Sequence, residues 1–258
     1  MAIEGLFNFR DTGGMPLNGG GTTRTGVLYR SAALNALTDT GLTQLADSPI
    51  GVIADFRTPV EQQMAPDRVP DSRPFRVASL SLLEGALPQP AVEADGAVAP
   101  ESFSSVLAQL PTLGELYLSM LAHGAETFAE LARLVAASKD DEPTAVLVHC
   151  TAGKDRTGIA VALLLDTAGA ERDAIVADYA SSQQNLAGPW AEGMITMLTS
   201  LGITVTDALR TLVTQTPPAA IEQALSWLDS EHGGSAGYLA SGGLTDAELD
   251  ALRGRLSA

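Results

Sequence analysis

Several common routes to function are closed by what the chain lacks. Its 258 residues hold one cysteine, Cys150, so neither an intramolecular disulfide nor a CxxC metal site can form. The three histidines, His123, His149 and His232, show no HxH or HxxxH spacing, which argues against a zinc or iron centre. Positive charge is scarce: 15 Lys and Arg face 31 Asp and Glu, a net of −16. Nucleic acid is therefore a poor partner. No apolar run reaches the ~20 residues that span a bilayer, so no stable membrane insertion is expected. The opening MAIEGLFNFRDTGG has no basic stretch followed by an apolar one, as a secretory signal would. The expectation is a cytoplasmic protein, or one exported without a standard signal peptide. What is present suits a globular chain: 45% hydrophobic and 18% charged residues, and enough length for a sizeable core.

The charge is uneven. Residues 1–80 hold 7 basic against 8 acidic side chains, the remainder 8 against 23. An enzyme for an anionic substrate with this overall sign needs local positive charge, and Arg10, Arg30 and Arg57 could supply some of it. Gly13-Gly14 and Gly19-Gly20-Gly21 bracket a hairpin or loop. Strands are expected at 27–30, 51–55, 75–80 and 144–149, the last a continuous apolar run suited to a central parallel strand. A helix is expected over 38–46, with Thr38 as its cap. Residues 85–102, rich in Pro, Ala, Gly and Glu, read as a mobile loop. The stretch 103–138 reads as helical, interrupted near Pro111 and Gly124; together, about 81–125 form a loop and helical lid or insertion. Further helices are expected at 156–167, 171–185, 191–199, 206–214, 218–231 and 245–256. Strands alternating with helices predict an α/β fold with a central, largely parallel sheet flanked by helices.

The chemistry concentrates in AVLVHCTAGKDRTG. A cysteine ends a strand there, and six residues later an arginine opens a helix. A short loop at that junction can turn successive backbone N–H groups inward, making an anion nest that the helix dipole reinforces. Gly153 permits the tight backbone. Arg156 offers a planar fork that matches two phosphate oxygens. Such surroundings stabilise a thiolate, which is the nucleophilic form of cysteine. Thr157 can hydrogen-bond toward the sulfur and help it leave. A buried structural cysteine is the bland alternative; the strand–loop–helix context weighs against it. A Walker nucleotide loop fails, because Val148 stands where glycine is needed and Asp155 follows Lys154.

HCTAGKDRTG resembles the CxxxxxR signature of the protein tyrosine phosphatase superfamily. The Gly-Lys-Asp-Arg-Thr-Gly form is similar to the bacterial branch that includes the mycobacterial phosphatase B and the listerial lipid-active phosphatase. Asn8-Phe9-Arg10-Asp11, Tyr29-Arg30-Ser31, Asp55-Phe56-Arg57-Thr58 before Glu61, Asp178-Tyr179 and the tail from Gly237 also fit that branch. The resemblance implies a single phosphatase domain over residues 1–258 and hydrolysis through a phosphocysteine, without metal or organic cofactor. It implies phosphorylated protein as substrate, phosphotyrosine first, with phosphoserine, phosphothreonine and phosphoinositides as further possibilities; Lys154 is the residue associated with the lipid activity. A catalytically silent phosphoprotein-binding pseudophosphatase is the competing reading, but this chain keeps Cys150, Asp155 and Arg156.

The proton donor is the open question. Many tyrosine phosphatases use a Trp-Pro-Asp loop, and Ala65-Pro66-Asp67 and Val69-Pro70-Asp71 superficially resemble one; a solvated turn suits them better. Asp155 is either the acid or a brace for the loop. Asp55, at a strand end on the sheet's active edge, is either a second acid or a partner for Arg57. Arg10 and Asp11 are expected to form a local ion pair, and His149 to support the loop. Tyr117, Met120 and Leu121 make a stripe that reads as core, with a lid over the pocket as the alternative. The candidate set is Cys150, Asp155 and Arg156 for catalysis, with Thr151, Ala152, Gly153, Lys154, Thr157, Gly158 and Asp55 around the phosphate.

Overall fold

The computed structural model describes residues 1–82, 111–200 and 202–258. The loop expected at 85–102 and the start of the helical stretch, 103–110, lie outside the described residues. Five strands form one sheet: β1 (Arg10–Asp11), β2 (Leu28–Ser31), β3 (Ile50–Asp55), β4 (Arg76–Ser79) and β5 (Ala145–His149), in the order β1-β2-β5-β3-β4. Among the described strand pairs of this sheet, β1–β2 is antiparallel and the others are parallel. The fold is α/β with a mostly parallel sheet, as the alternation of elements implied. β5 lies in the middle with every residue buried, which is why its sequence is a continuous apolar run.

Side chains alternate across the sheet with the two-residue period of a strand. Leu28, Val52, Ala54, Val146 and Val148 enter the larger core with α3 (Leu113–Ala136), α4 (Arg156–Thr167) and α8 (Pro218–His232). Tyr29, Ile53 and Leu147 enter a smaller one with Leu34, Leu37 and the Leu45 of α1 (Asp39–Ala46). Ser31 and Asp55 both stand opposite His149 in register. Three strands thus end at one level, and the residue after His149 is Cys150. A crevice beyond the carboxyl ends of parallel strands is where such sheets bind ligands.

One expectation needs correction. α3 runs unbroken through Gly124. That glycine marks a close approach: a Cβ there would stand 2.8 Å from the Phe128 ring and 3.0 Å from Leu82. Residues 59–64, for which no element was expected, form α2 (Pro59–Met64), capped by Thr58 and Glu61 in a reciprocal capping box. With no buried residue, α2 has no apolar period to reveal it; the Thr-Pro-x-Glu pattern was its signal. The remaining α-helices among the described residues are α5 (Arg172–Asn185), α6 (Pro189–Ser200), α7 (Asp207–Thr214), α9 (Ser235–Ser241) and α10 (Asp246–Leu256). α9 was not foreseen. Among the described residues no helix is long and apolar enough to cross a membrane.

Candidate active site

The loop from Cys150 to Asp155 connects β5 to α4. Gly153 takes a φ of 66°, and a Cβ there would stand 1.9 Å from the carbonyl oxygen of Ser31. Only glycine fits this conformation and this approach. The loop's carbonyls are held from outside. Ala33 N–H donates to Thr151 O at 3.2 Å. Asn8 Nδ2 donates to Ala152 O (3.1 Å) and Gly153 O (2.9 Å). Arg30 Nη2 donates to Gly153 O (2.8 Å) and, at 3.5 Å, to Lys154 O. Among the described residues, no acceptor meets the N–H groups of Thr151 to Arg156. Unpaired donors at the opening of a helix are the material of an anion site.

Cys150 is buried, as is Thr157, whose Oγ1 has no hydrogen-bond partner among the described residues. Gly158 leaves space for the Tyr179 ring, 2.9 Å from where its Cβ would be. Arg156 donates from Nη1 to Glu61 Oε2 (2.7 Å) and from Nη2 to Glu61 Oε1 (2.6 Å), a bidentate pair across α2 and α4. Nη1 also donates to Phe56 O at 3.2 Å. Thr151 Oγ1 donates to Glu61 Oε1 at 2.7 Å. Burial would raise the Glu61 carboxyl, but the hydrogen bonds and charge of Arg156 outweigh it and pull it down to about 2. Burial likewise disfavours the Arg156 cation, and Glu61, with Cys150 and Asp155, more than restores it above its ordinary value. Glu61 had been quoted only as part of a segment. Its role becomes visible when α2 places it against Arg156, 95 residues away.

Asp155 precedes α4 without capping it. Tyr117 OH donates to Asp155 Oδ1 at 2.7 Å, and the phenols of Tyr117 and Tyr179 are 2.7 Å apart. Lys154 Nζ donates to the same Oδ1 (3.0 Å), to Leu212 O (2.8 Å) and to Gln215 O (3.0 Å). The side chain of Lys154, expected around the phosphate, is instead engaged elsewhere: its ammonium lies buried against the end of α7, with three acceptors for its three protons. Tyr117 belongs to the core, with Met120 and Leu121, yet its hydroxyl is polar equipment the apolar stripe did not reveal. Its ionisation is pushed up, by burial first and then by Asp155.

A second cluster lies behind the loop. Arg57 Nη2 donates to Asp55 Oδ2 (2.8 Å) and Asp67 Oδ2 (2.6 Å), while Arg57 Nε sits between both oxygens of Asp55. Asp67 also accepts from Leu34 N–H at 2.8 Å, and its Oδ2 lies 3.3 Å from His149 Nε2. A solvated turn does not describe Asp67, whose side chain is 12% exposed. Asp55, Asp67 and His149 could converge on a cation, but the Arg57 guanidinium already spans both carboxylates. His149 Nδ1 lies 3.3 Å from Cys150 O. The Arg10–Asp11 pair is also corrected. Arg10 Nε donates to Asp178 Oδ1 at 2.6 Å, and Asp11 accepts from the N–H groups of Gly13 and Gly26. Pairing across chain segments far apart in sequence outcompetes the local pair.

A family model described as the tyrosine phosphatase family matches residues 1–258, the whole chain. The chain belongs to this family. A triple specificity protein phosphatase, PtpB, of Mycobacterium tuberculosis is 30% identical over 286 aligned residues, covering 98% of each chain. A tyrosine-protein phosphatase of Nostoc commune is 31% identical, covering 88% of this chain and 73% of its own. A putative tyrosine-protein phosphatase of Cupriavidus necator is 29% identical, covering 93% and 82%. The enzyme class expected from HCTAGKDRTG, a cysteine-dependent protein-tyrosine phosphatase, is that of the family.

Proposed function

We propose that this tyrosine phosphatase family member hydrolyses phosphate monoesters through a phosphocysteine at Cys150, within a single domain spanning residues 1–258. The observation that carries this reading is the loop itself: carbonyls from Thr151 to Lys154 held from outside, the N–H groups unpaired among the described residues, and an arginine fork at its end. The thiolate attacks phosphorus; the P–O bond to the leaving group breaks, and that oxygen takes a proton from Asp155. Asp155 then withdraws a proton from water as it attacks phosphorus, and the sulfur departs as thiolate, helped by the Thr157 hydroxyl. The loop amides and Arg156 hold the three equatorial oxygens as charge spreads over them. Asp155 is the preferred acid because Oδ2 has no hydrogen bond among the described residues, whereas Arg57 engages both oxygens of Asp55.

Phosphotyrosine is the proposed principal substrate. Phosphoserine and phosphothreonine are proposed as secondary ones, on the likeness to a phosphatase named for triple specificity. Phosphoinositides form a third class, which Lys154 could serve only by leaving Leu212 and Gln215. The proposed compartment is the cytoplasm. Turnover of p-nitrophenyl phosphate by the parent enzyme and Cys150→Ser tests the core of this reading. The serine variant is expected to lose turnover altogether while still binding inorganic phosphate, since the nest is mostly backbone. Activity within tenfold of the parent would overturn the assignment.

A further inference from the structure

The peptide unit is planar and its C=O and N–H point to opposite sides. Holding the carbonyl of one residue therefore fixes the direction of the next residue's N–H. We infer that Asn8 and Arg30, braced by Asp178, are positioning residues that clamp the outer carbonyls of the Cys150–Arg156 loop and so aim its amides at the phosphate. The inference rests on the phosphatase reading only for its effect on turnover.

The geometry is specific. Asn8 Nδ2 on Ala152 O and Gly153 O sets the N–H groups of Gly153 and Lys154. Arg30 Nη2 on Gly153 O and Lys154 O sets those of Lys154 and Asp155. Asn8 is buried and has a φ of 54°, the left-handed region that asparagine tolerates better than most residues. Its Oδ1 accepts from Arg10 Nη1 at 2.5 Å, which leaves Nδ2 to face the loop. Arg30 is fully buried. Asp178 holds both arginines: Oδ2 accepts from Arg30 Nη1 (2.6 Å) and Oδ1 from Arg10 Nε (2.6 Å). Burial would raise the Asp178 carboxyl, but Arg30 and then Arg10 keep it below the ordinary range. Arg10 is lowered to about 10, by burial first and then by Arg30; it is still a cation at neutral pH. Two guanidiniums on one carboxylate leave an excess positive charge behind the loop, which favours an anion in front of it.

A merely structural network would tie β2, α5 and the N-terminal segment together without altering the loop's chemistry. Asn8→Asp separates the two cases, because it keeps the shape and replaces the donor facing two carbonyls with an acceptor. Arg30→Lys keeps the charge and loses the fork. Leu252→Ala, a change to a buried side chain on α10, serves as the stability control. Tungstate affinity by calorimetry, kcat and KM on a phosphotyrosine peptide, and the pH profile of Cys150 alkylation by iodoacetamide are measured together with Tm. Both loop variants are expected to bind tungstate ~10-fold more weakly, to lose kcat by ~10- to 100-fold, as for a missing transition-state donor, and to shift the alkylation profile to higher pH. Leu252→Ala should lower Tm alone. Variants with lowered Tm but parental tungstate affinity and alkylation profile would overturn the clamp. If Asn8→Asp does not fold, Asn8→Ser and Arg30→Lys decide by the same readouts. A parent protein that binds tungstate but turns over no phosphate monoester would sink the phosphatase reading and leave the clamp to be judged on tungstate affinity.

Discussion

Arg156 and Arg57 each grip carboxylates, and the comparison between them separates working parts from frame. Arg156 forms its two-pronged pair with Glu61, whose side chain is 32% exposed. Arg57 spans Asp55 and Asp67, which are 3% and 12% exposed. Arg156 ends the Cys150 loop and Arg57 lies in the buried cluster behind it, and neither cation is free. The difference is what each partner can do when disturbed. On the proposed mechanism Glu61, the more exposed partner, turns toward water as phosphate arrives, and Arg156 exchanges one anion for another. Asp55 and Asp67 have no such outlet, since leaving a buried charge unpaired costs several kcal/mol.

The sharpest way to break the comparison is to remove each arginine in turn. Arg57→Met strands two buried carboxylates and is expected to cost about 3–5 kcal/mol in urea unfolding, with kcat per folded molecule changed only a few-fold. Acid should reveal the same cluster. Burial would raise the Asp67 carboxyl, but His149, Arg57 and Leu34 N–H together hold it below its ordinary value. Its contribution is therefore fully present above the unfolded pKa, ~3.9, and is lost as pH falls through the depressed folded value. Asp67→Asn should thus start less stable and lose less between pH 5 and pH 3. An acid limb as steep as the parent's would remove Asp67 from this account.

Arg156→Lys probes the other side. Lysine keeps the charge but cannot reproduce the fork, so kcat should fall ~100-fold with little change in Tm. Near-full kcat would mean that charge alone suffices. A large loss of stability with unchanged kcat would exchange the roles of the two arginines.

How far these roles could be read from sequence depended on how local their causes are. The HCTAGKDRTG loop was legible because its chemistry needs adjacent residues: a thiol at a strand end, glycine at a positive φ, an arginine at a helix start. β5 and α4 on either side were legible from their apolar runs. Glu61 was quoted but not assigned, because its partner is 95 residues away and its helix buries nothing. Asn8 reaches the loop across 144 residues, and Arg30 reaches Asp178 across 148. Local logic also misled: Arg10 beside Asp11 looked like a pair, but the fold offers Arg10 a buried carboxylate on α5. Tyr117 followed the core period correctly, and periodicity says nothing about where its hydroxyl ends.

The smallest expected effect concerns the proton donor, and it sharpens the comparison further. Asp155 and Asp55 are both carboxylates at the sheet's carboxyl edge. Tyr117 and Lys154 fix Asp155 by one oxygen, while Arg57 occupies both oxygens of Asp55. Breaking the P–O bond leaves charge on the departing oxygen, and the need for a proton grows with the basicity of that group. An alkyl alcohol needs it most, tyrosine's phenol (pKa ~10) less, and a nitrophenol hardly at all. Asp155→Asn is therefore expected to slow phosphoserine hydrolysis most, phosphotyrosine next, and nitrophenyl phosphate only a few-fold. Plotting kcat against leaving-group pKa should give a steeper line for this variant than for the parent. Asp55→Asn should keep the parental slope while lowering Tm, because it weakens the grip of Arg57. If the slopes come out reversed, Asp55 must leave Arg57 during turnover, and the buried cluster is working machinery after all. If neither slope steepens, the proton comes from water or from another carboxyl, and Asp155 is a brace that Tyr117 and Lys154 hold in place.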